Sequence, residues 1–143
     1  MDMFIPFAIS ASALKAQKIR LDTVASNLAN VETTSTPEGG PYKKKSVYFE
    51  TQPLSFKETL NDSLSQRAQG VAATKILADE SEPKKVYNPG HPDADENGYV
   101  AMPNVNVLAE MVDMMSATRS YQANVTVIKS AKRMALKALE IGG

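Results

Sequence analysis

The sequence predicts a mainly α protein with a small β-rich insert, in which long N- and C-terminal helices pair as a coiled-coil-like hairpin. Three observations carry this. Asn104 to Ile141 contains neither Pro nor Gly, and its apolar residues recur at helical spacing. Met3 to about Val31 has the same character, with one Pro, Pro6, near a start where it is tolerated. The stretch between them is punctuated by turn residues around short β-branched and aromatic runs. The boundaries that follow are a discontinuous terminal-helix domain, 1–33 with 104–143, and an inserted segment, 34–103.

In the first helix Phe7, Leu14, Leu21 and Leu28 fall seven apart, with Val24 and Val31 close behind two of them. Ile5, Ile9, Ala16 and Ile19 lie near the other side, since two residues turn a helix by ~200°. A helix apolar on two faces is normally buried between several neighbours. Thr33 to Pro41 (TTSTPEGGP) reads as a loop, and Lys43–Lys45 as a solvated run or an edge-strand gatekeeper. Ser46–Thr51 is strand-like, and Val71–Ala78 follows Gly70 as a second strand. Phe56, Leu60 and Leu64 suggest a short amphipathic helix over 55–66. Val86–Tyr87 and Tyr99–Val100 flank a turn-rich loop and are expected to pair as a ribbon.

The last helix is the most strongly patterned. Val107, Met114, Tyr121, Ile128 and Ala135 form one heptad row; Met111, Thr118, Val125, Lys132 and Leu139 form a second, four residues on. Pro103 stops a helix entering from upstream, Asn104 or Asn106 can cap the start, and Gly142 suits the exit. At ~1.5 Å per residue this helix runs roughly 55 Å, too long for one small core to cover. Val112, Ala123, Val127, Met134 and Ile141, with Ser116 and Ser130, line a face away from the seam. Small residues there favour close helix approach, so the pair is expected to pack on itself and on further copies or relatives.

Lys and Arg number 16 and Asp and Glu 16. A balanced charge argues against nucleic acid or an anionic membrane as main partner, since both require surplus cations. Cysteine is absent, which removes disulfide and thiol chemistry. The opening MDMFIPF has no basic n-region and no long apolar run, so neither a secretory signal nor a membrane span is expected. The one cluster that invites metal chemistry is His91, Asp93, Asp95, Glu96 and Asn97. Asp93-x-Asp95-x-Asn97-Gly98 matches the first half of a calcium loop. Its twelfth position is Asn104 rather than a bidentate Glu, and one His without Cys is a poor zinc set. A turn whose carboxylates cap backbone amides is the simpler reading. No catalytic residue, cofactor-binding residue or metal ligand is assigned, and no enzyme is expected.

Leu21 to Thr34 reads LDTVASNLANVETT. It resembles the N-terminal signature of flagellar rod and hook proteins, which Ser26, Asn27, Leu28, Ala29 and Asn30 match position by position. Thr36–Lys45 and the whole of Val86–Gly142 resemble the proximal-rod branch of that family. The resemblance covers about residues 10–45 and 86–142, while 46–85 carry little of it. Rod and hook relatives usually follow the signature with a short Thr-Pro-Gly-Tyr turn, and the longer Thr33–Pro41 favours the proximal-rod branch.

The resemblance implies a structural subunit that polymerises through its terminal helices into a hollow rod, with the middle segment facing outward. It implies as partners copies of itself, other rod proteins, rod-base adaptor, MS-ring and export-gate proteins, and the flagellar type III export apparatus. It implies export without a cleaved signal and a periplasmic place in the basal body. The helix-packing and assembly residues expected are Leu14, Leu21, Ser26, Asn27, Leu28 and Asn30 in the first helix. In the last they are Met111, Met114, Tyr121, Val125, Ile128, Leu136 and Leu139. Competing readings are a soluble helical adaptor or export chaperone that dimerises through the last helix, and a calcium- or zinc-dependent enzyme centred on His91–Asn97.

Overall fold

The computed structural model describes residues 4–53 and 69–141. The elements are α1 (Phe4–Ala29), β1 (Lys45–Pro53), β2 (Gln69–Ala78), β3 (Lys84–Tyr87), β4 (Tyr99–Met102) and α2 (Val107–Ile141). Two long helices and two small ribbons make a mainly α fold with a β insert. The amphipathic helix expected over 55–66 and the exit at Gly142 lie outside the described residues.

Each boundary has a local cause. α1 ends where Asn30 returns both its backbone N–H, at 3.2 Å, and its side-chain amide, at 2.9 Å, to the Ser26 carbonyl of the last turn. At the start of α2 the cap is Asn106: its Oδ1 accepts the Ala109 amide at 3.2 Å and its carbonyl accepts Glu110 N–H at 3.0 Å. β1 and β2 pair antiparallel from Lys45↔Ala78 to Pro53↔Gln69, with an irregularity between Tyr48 and Phe49. β3 and β4 form the expected second ribbon, Val86↔Val100 and Tyr87↔Tyr99. Their loop closes at Gly98, whose φ of +78° suits glycine; an added Cβ there would sit 3.0 Å from the Tyr87 ring.

α1 packs along α2 and carries the β1–β2 ribbon on its flank. The Ser12 hydroxyl joins helix to ribbon by accepting the Val71 amide at 3.1 Å. The seam is built from small residues: the buried apolar side chains among those described are Ala16, Val24, Val100, Val105, Ala117 and Ala131. On α2 the covered row is Glu110, Ala117 and Ala131, with Asn124 half-buried in step with them and Met114, Tyr121, Ile128 and Ala135 half-buried beside it. The row expected at Met111, Thr118, Val125, Lys132 and Leu139 is therefore displaced by one residue, and Met111, Lys132 and Leu139 are exposed. On α1 the covered face is Ala16, Thr23, Val24 and Asn27, with Leu14, Leu21 and Leu28 half-buried at its margin. The cause is steric. Alanine, threonine and asparagine let two helix backbones approach closely, whereas a row of leucines would hold them apart.

Candidate assembly interface

The α1–α2 seam is pinned at one end by a polar clamp centred on Asn27, 1% exposed, and Glu110, 3% exposed. The Asn27 amide donates to the Lys45 carbonyl at 2.8 Å and to Glu110 Oε2 at 2.9 Å. Its Oδ1 accepts the Lys45 backbone amide at 2.9 Å and the Tyr42 hydroxyl at 3.0 Å. Both donors and both lone pairs of the side chain are thus used, the most a primary amide can satisfy. Because Tyr42 gives its proton to Asn27, the Ser26 hydroxyl is the donor in the 3.3 Å contact between Ser26 and Tyr42.

Glu110 completes the clamp. Its Oε1 meets Lys44 Nζ at 2.8 Å, so both oxygens of a buried carboxylate have a donor. It also sits in the first turn of α2, where the helix dipole favours negative charge. One turn along, Arg20 of α1 forks onto the Asp113 carboxylate of α2 through Nε and Nη2. That pair is about one-third exposed, so it orients the helices more than it stabilises them. A cleft of about 380 Å³ beside the clamp is lined by Arg20, Lys44, Phe49, Glu110 and Asp113 among others. Four of the five charges in that lining form two ion pairs, Arg20 with Asp113 and Lys44 with Glu110, and the fifth is Lys45.

The five-residue signature thus divides its labour. Asn27 joins α1, the start of β1 and the start of α2; Ser26 supports Tyr42; Asn30 serves its own helix end. Lys44 and Lys45 are not simply solvated loop residues: Lys44 pairs with a buried acid, and the Lys45 ammonium lies 5.7 Å from the Tyr42 ring centre. Sequence reasoning missed Tyr42, Lys44 and Glu110 as a unit. The available signal was Glu110 itself, an acid in heptad step with Ala117, Asn124 and Ala131, which must find a partner when buried.

The remaining face of α2 is uncovered. Leu108, Met111, Val112 and Met115 are each at least half exposed, Leu108 at 75%. They stand at i, i+3, i+4 and i+7, one face of the helix, roughly opposite the Glu110–Ala117 row. Val127, Met134, Leu136 and Leu139 are also exposed farther along. Met114, Tyr121, Val125 and Ile128 are half-buried.

The loop at 91–97 folds as a turn. Asp95 Oδ1 accepts the amides of Asn97 at 2.9 Å and Tyr99 at 2.8 Å, and Asp93 Oδ2 accepts the Thr34 hydroxyl at 2.7 Å. Asp93 and Asp95 each commit one carboxylate oxygen to the chain's own donors. No helix among the described residues is long and apolar enough to cross a membrane.

Paired terminal helices, a small-residue seam locked by a buried polar clamp, and an uncovered apolar face define an assembling structural protein. The chain matches the family model described as "Flagella basal body rod protein" over residues 7–35, and "Flagellar basal body rod FlgEFG protein C-terminal" over residues 96–141. It is 46% identical to the flagellar basal-body rod protein FlgC of Bacillus subtilis, over 99% of each chain. It is 45% identical to FlgC of Salmonella typhimurium over 95% of each, and 42% identical to FlgC of Borreliella burgdorferi over 99% of this chain and 98% of that one. The chain belongs to the FlgC family of flagellar basal-body rod proteins. That membership makes it a structural protein of the basal body and not an enzyme.

Proposed function

We propose that this protein is a proximal-rod subunit whose terminal helices interlock with those of neighbours into a hollow tube that transmits torque and passes exported subunits. The observation that carries the reading is the second apolar face of α2, with Leu108, Met111, Val112 and Met115 uncovered in the single chain. Exposed apolar patches of this kind mark interaction surfaces, and here the partners are copies of the chain and other rod proteins. Residues 1–33 and 104–143 form the inner unit in this reading, and 34–103 turns outward toward adjacent subunits. Leu14, Leu21 and Leu28 at the seam margin, and Leu136 and Leu139 on the uncovered end of α2, then become contacts between subunits. The chain reaches the periplasmic rod through the flagellar type III export apparatus without a cleaved signal. At the rod base it meets the adaptor, MS-ring and export-gate proteins.

The test is Leu108→Asp combined with Met115→Asp. Both side chains are exposed, so stability should change by no more than about 0.5 kcal/mol per site, while incorporation into isolated basal bodies and swimming should be lost. Normal incorporation of this double variant would overturn the proposal. Removing residues 1–33 separates the readings further: a rod subunit fails to incorporate, whereas an adaptor or export chaperone leaves a discrete dimer.

A further inference from the structure

The balanced net charge conceals a strong separation of charge along the long axis. At the far end of α2, Lys129, Lys132, Arg133 and Lys137 are exposed, with Glu140 the one acid beyond Asp113 in that helix. Among the described residues Lys129, Lys132 and Arg133 have no acid within 4.0 Å, and Lys137 pairs only with Glu140. The acids collect at the opposite pole. Asp79, Glu80, Glu82, Asp93, Asp95 and Glu96 occupy the two loops flanking β3 and β4, against Lys84 and Lys85. Nearby, Glu32 and Glu38 are offset by Lys43 and Lys45.

Those acidic loops are held at the pole where α1 ends and α2 begins. Asn104 Nδ2 donates to the Ser81 hydroxyl at 2.9 Å, the Asp79 amide to the Lys44 carbonyl at 2.7 Å, and the Thr34 hydroxyl to Asp93 at 2.7 Å. From Val107 to Lys129 is roughly 33 Å along the helix at ~1.5 Å per residue. Screening at physiological salt acts over about 8 Å, so the two poles cannot neutralise one another within a single molecule. Each pole also carries exposed apolar side chains: Val86, Tyr87 and Tyr99 beside the acids, Met134, Leu136 and Leu139 beside the cations.

We propose that the basic end of α2 of one copy docks on the acidic β3–β4 pole of a second copy, so that charge sets the polarity of a head-to-tail contact. The proposal rests on the subunit reading above and names how successive copies recognise each other. A contact between two different patches of one chain does not close on itself, so it propagates along an axis rather than stopping at a dimer. The second copy is favoured over an anionic lipid surface because this chain itself carries the complementary acidic pole, and because its net charge is zero.

The experiment uses the absence of native cysteine in the full chain. Lys137→Cys with Glu96→Cys, treated with a bis-maleimide cross-linker at low salt, should give a ladder of dimers, trimers and longer species that fades at high salt. Reversing the basic pole (Lys132→Glu with Arg133→Glu) or the acidic pole (Glu80→Lys, Glu82→Lys and Glu96→Lys) should each weaken association about tenfold or more, measured by sedimentation. Mixing the two reversed proteins should restore a contact between unlike partners only. Circular dichroism of each reversed variant confirms folding, since all these side chains are exposed. No ladder, a salt-independent ladder, or no recovery on mixing would overturn the proposal. So would binding of the basic pole to phosphatidylglycerol vesicles in place of self-association, or cross-linking in isolated rods only to a different rod protein. Basal bodies that incorporate both reversed variants normally would refute the charged contact while leaving the subunit reading intact.

Discussion

Replacing Asn27 with leucine tests whether the clamp holds the fold together. Leucine keeps the branched heavy-atom skeleton of asparagine but removes two donors and two acceptor positions, stranding the Lys45 amide and carbonyl, the Tyr42 hydroxyl and Glu110 Oε2. A hydrogen bond between neutral groups contributes about 1 kcal/mol net, and one to a charged group about 1.5–3 kcal/mol. Water can reach exposed Lys45, so its two groups recover part of their loss; Glu110 lies too deep for that. The expected cost is about 4 kcal/mol, a large share of the ~5–15 kcal/mol that holds a typical domain. For a chain of this length that corresponds to a fall in Tm of roughly 10–15 °C. Asn30→Ala is the control: the other asparagine of the signature serves its own helix end, so its loss should cost only about 1 kcal/mol. Urea unfolding of the three purified proteins, followed by circular dichroism, gives both numbers. If Asn27→Leu falls within 1 kcal/mol of the parent, or if the two asparagines cost the same, the clamp is not what binds α1 to α2.

Gly98→Ala should destabilise by about 1–2 kcal/mol in the same assay, because φ of +78° and the Tyr87 ring at 3.0 Å both oppose a side chain; an unchanged midpoint would refute this. The isolated chain should show less helix than the 26 and 35 residues of α1 and α2 imply, with rapid amide exchange from about Lys132 to Ile141 and protection around Ala117, since uncovered helix is marginal in water. Uniform protection along α2 would remove the case that neighbours are needed. Calcium or zinc added in a calorimeter should produce no binding heat, because Asp93 and Asp95 already accept from Thr34, Asn97 and Tyr99. Asp95→Ala should lower stability by about 1 kcal/mol and impair incorporation far less than Leu108→Asp with Met115→Asp, since it removes one of the six acids of its pole.

The sequence by itself determined the long helices, the caps and the ribbons, since these follow from local chemistry. Pro103 and Asn106 set where α2 starts, heptad spacing set its length, and the β-branched runs around Val47, Val71 and Val100 read as strands. The Ser26–Asn30 signature pointed to a family for the same reason: it is a contiguous word. Only the tertiary structure decided which helix faces meet. Counting large apolar residues selected Leu21 and Met111, whereas the seam closes on Ala16, Thr23, Ala117 and Ala131, because close approach rewards small side chains. The clamp was equally hidden. Asn27 and Glu110 stand 83 residues apart, and a buried polar group reveals its purpose only when folding brings in the partners that satisfy it.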